Sequence, residues 1–164
     1  MLSRVVTRED TSPTNPGGDP LAALTQRMAV ALSQRPEVLE GYLFGSRARG
    51  QASPHSDLDI AVFVDEALLQ QSAFGYEAEL TTDLMRALGD NQVDLVVLNR
   101  APPLLYHRVL CDGIRLLSRD LRATTVREGQ ALSRYCDYVP QLAKIARAAS
   151  ARIRRGDLGR SDES

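Results

Sequence analysis

The sequence has little of what marks secreted, membrane or zinc-bearing chains. Of its 164 residues only Cys111 and Cys136 are cysteines, and no C-x-x-C spacing joins them. A disulfide framework and a zinc site are therefore not indicated, and a reducing cytoplasm is the expected compartment. No apolar run is long enough to span a bilayer, and the opening "MLSRVVTREDTSPTNPGGDP" has no continuous apolar core, so neither membrane insertion nor secretion is expected. A formal charge of −1 gives no electrostatic reason to expect direct binding to nucleic acid. Lysine is almost missing: Lys144 stands alone among arginines. That favours forked contacts to phosphate or carboxylate, but codon bias explains it at least as well.

What is present fits one soluble domain: 43% hydrophobic and 25% charged residues in a chain able to bury a single core. Residues 1–19 lack hydrophobic periodicity and are expected to form a disordered tail, as are residues 156–164. Residues 20–155 are expected to form the domain. Asp19 as N-cap and Pro20 at the first helical position open a helix carrying Leu21, Leu24, Met28 and Leu32. "VLEGYLF", Val38 to Phe44, is a strand ending at Gly45, after which Ser46 is expected to cap a short helix. "DLDIAVFV", Asp57 to Val64, reads as a central strand that enters a covered sheet. A helix is expected from about Glu66 to Leu88, burying Leu68, Phe74, Ala78, Leu84 and Leu88, with Gly89 as its stop.

"VDLVVL", Val93 to Leu98, gives a third strand, "LLYHRVLCDG" a short helix ending at Gly113, and "IRLLS" a final edge strand. Tyr135, Tyr138, Leu142, Ile145 and Ala149 then form one stripe of a last helical segment, bent or restarted at Pro140. The sum is an α+β fold, a small mixed β-sheet packed with helices.

The chemistry concentrates in "LFGSRARGQASPHSDLDIAVFVD", Leu43 to Asp65. Asp57 and Asp59 at i and i+2 on a strand project from one face, roughly 7 Å apart along the backbone, while Leu58 points into the core. Two carboxylates with no softer donor nearby suit a hard divalent ion such as Mg²⁺. Asp-x-Asp at a strand start is also common as solvated turn chemistry, and the pair alone does not decide. The Gly45-Ser46 turn allows close backbone approach and offers N–H groups and a hydroxyl to a phosphate, although an ordinary strand-to-helix connection looks the same. Gly45 and Gly50 stand at P-loop spacing, but Gln51 and Ala52 replace the required Lys and Ser/Thr, which excludes a Walker A loop. Asp94, flanked by Val93, Leu95, Val96 and Val97, either joins the acid pair or lies at an exposed strand end. Ser56 is expected to serve local hydrogen bonding. His55 and His107 have no evident partner.

Taken together, "GSRARGQASPHSDLDIAV", Gly45 to Val62, resembles the signature of the DNA polymerase beta nucleotidyltransferase superfamily: Gly-Ser, then Asp-x-Asp, then a third acid on another strand. Within it, the chain resembles the minimal nucleotidyltransferases, the MNT antitoxin partners of HEPN toxins, over about Leu21 to Ala149. The resemblance implies the nucleotidyltransferase fold and a transfer of AMP from ATP to an acceptor hydroxyl. It also implies two Mg²⁺ ions held by Asp57, Asp59 and Asp94, with Asp94 helping to take the proton. Gly45, Ser46 and Arg47 would bind the nucleotide phosphates, with Arg49 directed to solvent or to an acidic patch of a partner. The implied acceptor is a tyrosine of a HEPN ribonuclease toxin. Two other readings stay open: a small-molecule nucleotidyltransferase of the aminoglycoside-modifying kind, and a non-catalytic antitoxin that neutralises by binding.

Overall fold

The computed structural model describes residues 19–53, 56–69 and 75–154. His55, Phe74 and both expected tails, apart from Asp19, lie outside the described residues. Helix α1, Pro20–Ser33, starts where the sequence signals place it: the Asp19 side chain accepts from Leu21 N–H at 3.0 Å and Pro20 occupies the first turn. Strand β1, Val38–Phe44, leads directly into the short helix α2, Gly45–Ala48. Strand β2 is Leu58–Val64, so Asp57 sits just before the strand rather than on it. Helix α3, Tyr76–Leu88, ends at Gly89, whose φ of 64° is the left-handed stop expected there. Strand β3, Val93–Val97, is one residue shorter than expected because Leu98 begins a 3-10 turn. Helix α4, Pro103–Asp112, strand β4, Ile114–Ser118, and helix α5, Leu121–Arg154, complete the described chain.

The four strands lie in the order β3-β2-β1-β4, with β2 and β3 parallel and the other pairs antiparallel. The sheet is therefore mixed, β2 is internal and β4 is an edge, as expected. Alternation along β2 separates its two faces. Leu58, Ile60, Val62 and Val64 pack under α1 and α3 with Met28, Leu32, Leu80, Leu84 and Leu88. Ala61 faces the other side, where Tyr42, Phe44, Leu98, Tyr106, Val109 and Ala131 form a second, smaller core beneath α4 and the start of α5. No helix among the described residues is long and apolar enough to cross a membrane.

Further expectations need correction. The segment from Glu66 is a 3-10 turn at Glu66–Leu68 followed, after Gly75 at φ 86°, by α3. The phase of the buried stripe shifts accordingly, so Leu80 is buried while Leu68 and Ala78 are exposed. Instead of a bent or restarted segment, α5 is one helix of 34 residues that carries Pro140 within it. Its stripe does not join the core: Tyr135, Tyr138 and Leu142 are half-buried and Ile145 is 60% exposed. Periodicity identified an apolar face, of which α4 covers only the start, at Tyr135. His107, finally, does have a partner, since its ring stacks on Tyr135 with centroids 3.7 Å apart.

A charged clamp ties α5 to β1. Glu40 is fully buried and accepts from Arg127 Nε and from Tyr42 Oη, while Tyr42 Oη also lies 2.9 Å from Glu128, itself paired with Arg115. Arg127→Ala strands the Glu40 charge in the core and is expected to cost about 3–5 kcal/mol, read as a lower midpoint in urea unfolding.

Candidate active site

Strand register assembles the acids. In the antiparallel β1–β2 pair Phe44 lies opposite Asp59, and in the parallel β2–β3 pair Asp59 lies opposite Asp94. Asp59 thus sits between the end of β1 and the third acid, on the sheet face that carries Ala61. Asp57, one step before β2, and Asp94 are exposed, and Asp59 is half-buried. Burial, then the charges of Asp94 and Asp57, raise the Asp59 carboxyl above its ordinary value, with Arg49 opposing them. The two neighbouring acids that sequence spacing suggested are therefore electrostatic partners of Asp59.

Gly45 is shaped by this neighbour. Its φ is +74°, and a Cβ there would overlap the Asp59 carboxylate, lying 2.7 Å from Cγ and 3.1 Å from Cβ. The chain can turn from β1 into α2 against an acid only because glycine occupies that position. Ser46 does not cap α2: the N-cap position falls on Phe44 and no side chain caps the helix. Ser46 instead occupies the second position of α2, half-buried.

The two arginines of the turn divide their work. Arg47 Nε donates to the Ser56 carbonyl at 2.8 Å, and Nη2 is 3.8 Å from Asp90, so this side chain holds the loop that delivers Asp57. Arg49, whose charge acts on Asp59, lies at the surface with Nη1 3.2 Å from Asp112 at the end of α4 and Nε 3.3 Å from Gln51. The loop-holding role of Arg47 was not legible in the sequence, because it depends on which of the two meets the returning loop. Ser56 has the local role expected of it, its Oγ accepting from Ser53 N–H at 2.8 Å. Arg47→Ala frees this loop and is expected to lower activity about 10- to 100-fold, the range for losing a group that orients ligand-bearing residues; steady-state rates with the fold checked by circular dichroism test this.

Among the described residues, no three His, Cys, Asp or Glu side chains are drawn close enough to hold an ion as they stand. Mutual repulsion across Asp59 acts in that direction, and a divalent cation would reverse it. The donors are all carboxylate oxygens, two of them open to solvent, and this set fits Mg²⁺ and not a soft metal.

A family profile described as "Polymerase beta, Nucleotidyltransferase" matches residues 26–122, which include α2, β2 and β3. No curated protein matches the sequence significantly. Solved structures do. A chain of a toxin–antitoxin complex with AMP-PNP is 26% identical at a TM-score of 0.63, over 76% of this chain and 98% of that one. A tyrosine-to-alanine mutant of the MntA-HpeT toxin–antitoxin is 27% identical at 0.59, over 75% and 95%. A chain of the complex of tri-AMPylated Shewanella oneidensis HEPN toxin with MNT antitoxin, 24% identical at 0.60 over 79% and 98%, shares the fold. The fold, the register that sets Gly45 and Asp94 about Asp59, and the profile match agree: the chain belongs to the polymerase beta nucleotidyltransferase family, and within it is similar to MntA-type antitoxins.

Proposed function

We propose that the protein transfers AMP from ATP to a hydroxyl, most simply a tyrosine, of a HEPN-type ribonuclease toxin, and so acts as its antitoxin. The observation that carries this reading is the packing of Gly45 against Asp59, which lies opposite Asp94 in the sheet: a glycine turn beside an acid pair is what a nucleotide phosphate and its metal ions require. Similarity to chains of toxin–antitoxin complexes, one with AMP-PNP, supports the partner and the nucleotide.

Asp57, Asp59 and Asp94 would hold two Mg²⁺ ions, whose chemistry is to neutralise phosphate charge and to lower the pKa of the attacking hydroxyl. In this reading the backbone N–H of Gly45 and the hydroxyl of Ser46 hold the β and γ phosphates, which orients the α phosphorus for in-line attack. Asp94 accepts the hydroxyl proton as the new P–O bond forms and pyrophosphate leaves. Arg47 keeps the loop before Asp57 in place. The acceptor side is open, since Asp57 and Asp94 are exposed, and the distal part of α5 offers exposed Val139, Ile145 and Ile153 to a protein partner.

The test is to purify the tagged chain with its companion protein, add ATP and Mg²⁺, and measure intact masses. A gain of one or more AMP units on the companion, lost in Asp57→Asn/Asp59→Asn, is expected. A bound companion left unmodified by the wild-type chain would point instead to neutralisation by binding, and no companion at all to a small-molecule acceptor.

A further inference from the structure

A second cavity, of about 170 Å³, lies between the far end of β2, the start of α4 and the middle of α5. Phe63, Tyr106, Arg127, Gln130 and Arg134 line it. Phe63 is four residues beyond Asp59 on β2 and shares its face by alternation, which puts the cavity about 13 Å along the strand from the acids at ~3.3 Å per residue.

Its chemistry is that of a donor-rich pocket. Tyr106 is only 4% exposed, and its Oη is sealed from water without a hydrogen-bond partner among the described residues. Burial, followed by the Glu40 charge, pushes this phenol up to about 12, so it retains its proton at neutral pH. An orphan hydroxyl of this kind is costly, and an incoming acceptor atom would relieve that cost. The charges of Arg127 and Arg134 act on this phenol against those of Glu40 and Glu128, and both carboxylates are already paired, Glu40 with Arg127 and Glu128 with Arg115. Arg127 gives Nε to Glu40 and lies over the Phe63 ring at 4.9 Å, and its terminal nitrogens have no recorded partner among the described residues. Arg134 makes no ion pair among the described residues, and it and Gln130 are exposed, so these are the side chains able to move and admit a ligand to the sealed phenol. The rim also carries the Glu66 carboxylate, which is largely solvated and meets Arg100 at 3.4 Å at the surface. Asn99 is used up on both polar atoms by the Val64 backbone.

We propose that this cavity is a second, anion-binding site that takes an oxyanion, the phosphate or carboxylate of a ligand lying along the same sheet face as the acids. Two guanidinium groups, a phenol donor and an amide around a space of this size select a small anionic group over an apolar or cationic one. The site stands apart from the transfer reaction, and its test requires no turnover.

Full-length protein labelled with ¹⁵N is titrated with inorganic phosphate and separately with acetate, at constant ionic strength set by chloride, while the Arg134 Nε–H and Gln130 side-chain amide signals are followed. Saturable shifts are expected, with affinity at least tenfold weaker in Arg134→Gln, the loss of one charge-assisted hydrogen bond. Asp59→Asn should bind as the wild type does. Tighter binding of phosphate marks a phosphorylated ligand such as a nucleotide; equal or tighter binding of acetate marks an acidic side chain of a polypeptide. Shifts that never saturate, that are unchanged in Arg134→Gln, or that vanish in Asp59→Asn overturn the proposal.

Discussion

Asp59→Asn is expected to abolish nucleotidyl transfer and, at the same time, to make the protein more stable. Loss of the central acid removes several kcal/mol of electrostatic stabilisation of the transition state, which corresponds to about 10³-fold or more in rate. The stability gain has a separate origin. In the native chain the Asp59 carboxyl is raised above its ordinary value of 3.8 by burial and by Asp94 and Asp57. A carboxyl with a raised native pKa binds its proton more tightly folded than unfolded, so the charged form costs stability at every pH above that native value. The cost fades as the pH falls between the raised value and the ordinary one, below which the group is neutral in both states. Thermal melts without divalent ions should therefore show the variant above the wild type at pH 7, with the gap closing through the acid range. Added Mg²⁺ should raise the wild-type melting temperature and leave the variant much less affected. A variant no more stable than the wild type at pH 7 would mean that the acids do not strain one another.

Gly45→Ala is expected to lower activity by about 10²-fold or more, the effect of displacing a catalytic group by around 1 Å. The new Cβ would overlap the Asp59 carboxylate, and φ +74° is itself unfavourable for alanine. Gly50→Ala provides the control. Gly50 also has positive φ, 67°, but a Cβ there meets nothing within 4 Å. It should lose about 1–2 kcal/mol of stability from backbone strain alone and retain its transfer rate. Equal loss of activity in the two variants would show that turn conformation, and not the approach to Asp59, is what Gly45 provides.

Much of this site was legible beforehand because its signals are local. Val38 to Phe44 was recognised as a strand by its β-forming residues, Asp19 and Pro20 as a helix start, Gly89 as a stop, and the Gly-Ser turn and Asp-x-Asp pair by their spacing. Each depends on a few adjacent residues and on backbone preferences that hold in any fold. The limit of local reading shows at Glu66 to Leu88, where the apolar pattern reads as one helix but the chain turns at Gly75, and at α5, where Pro140 reads as a bend or restart but one helix runs through it.

Three matters were decided only by tertiary structure. Whether Asp94 meets Asp59 is a question of parallel register between strands joined by a helix, and a one-residue slip would have turned Asp94 to the opposite face. Which arginine of "SRAR" holds the loop depends on where Ser56 returns. The donor-lined cavity draws Phe63, Tyr106 and Arg134 from a strand and two helices with no sequence proximity. The sequence by itself determined the strands, the helix starts and stops marked by local signals and the identity of the acids, because propensity and spacing act between neighbours. Their meeting was left to the fold, because pairing register and side-chain contacts are set by burial across the whole chain.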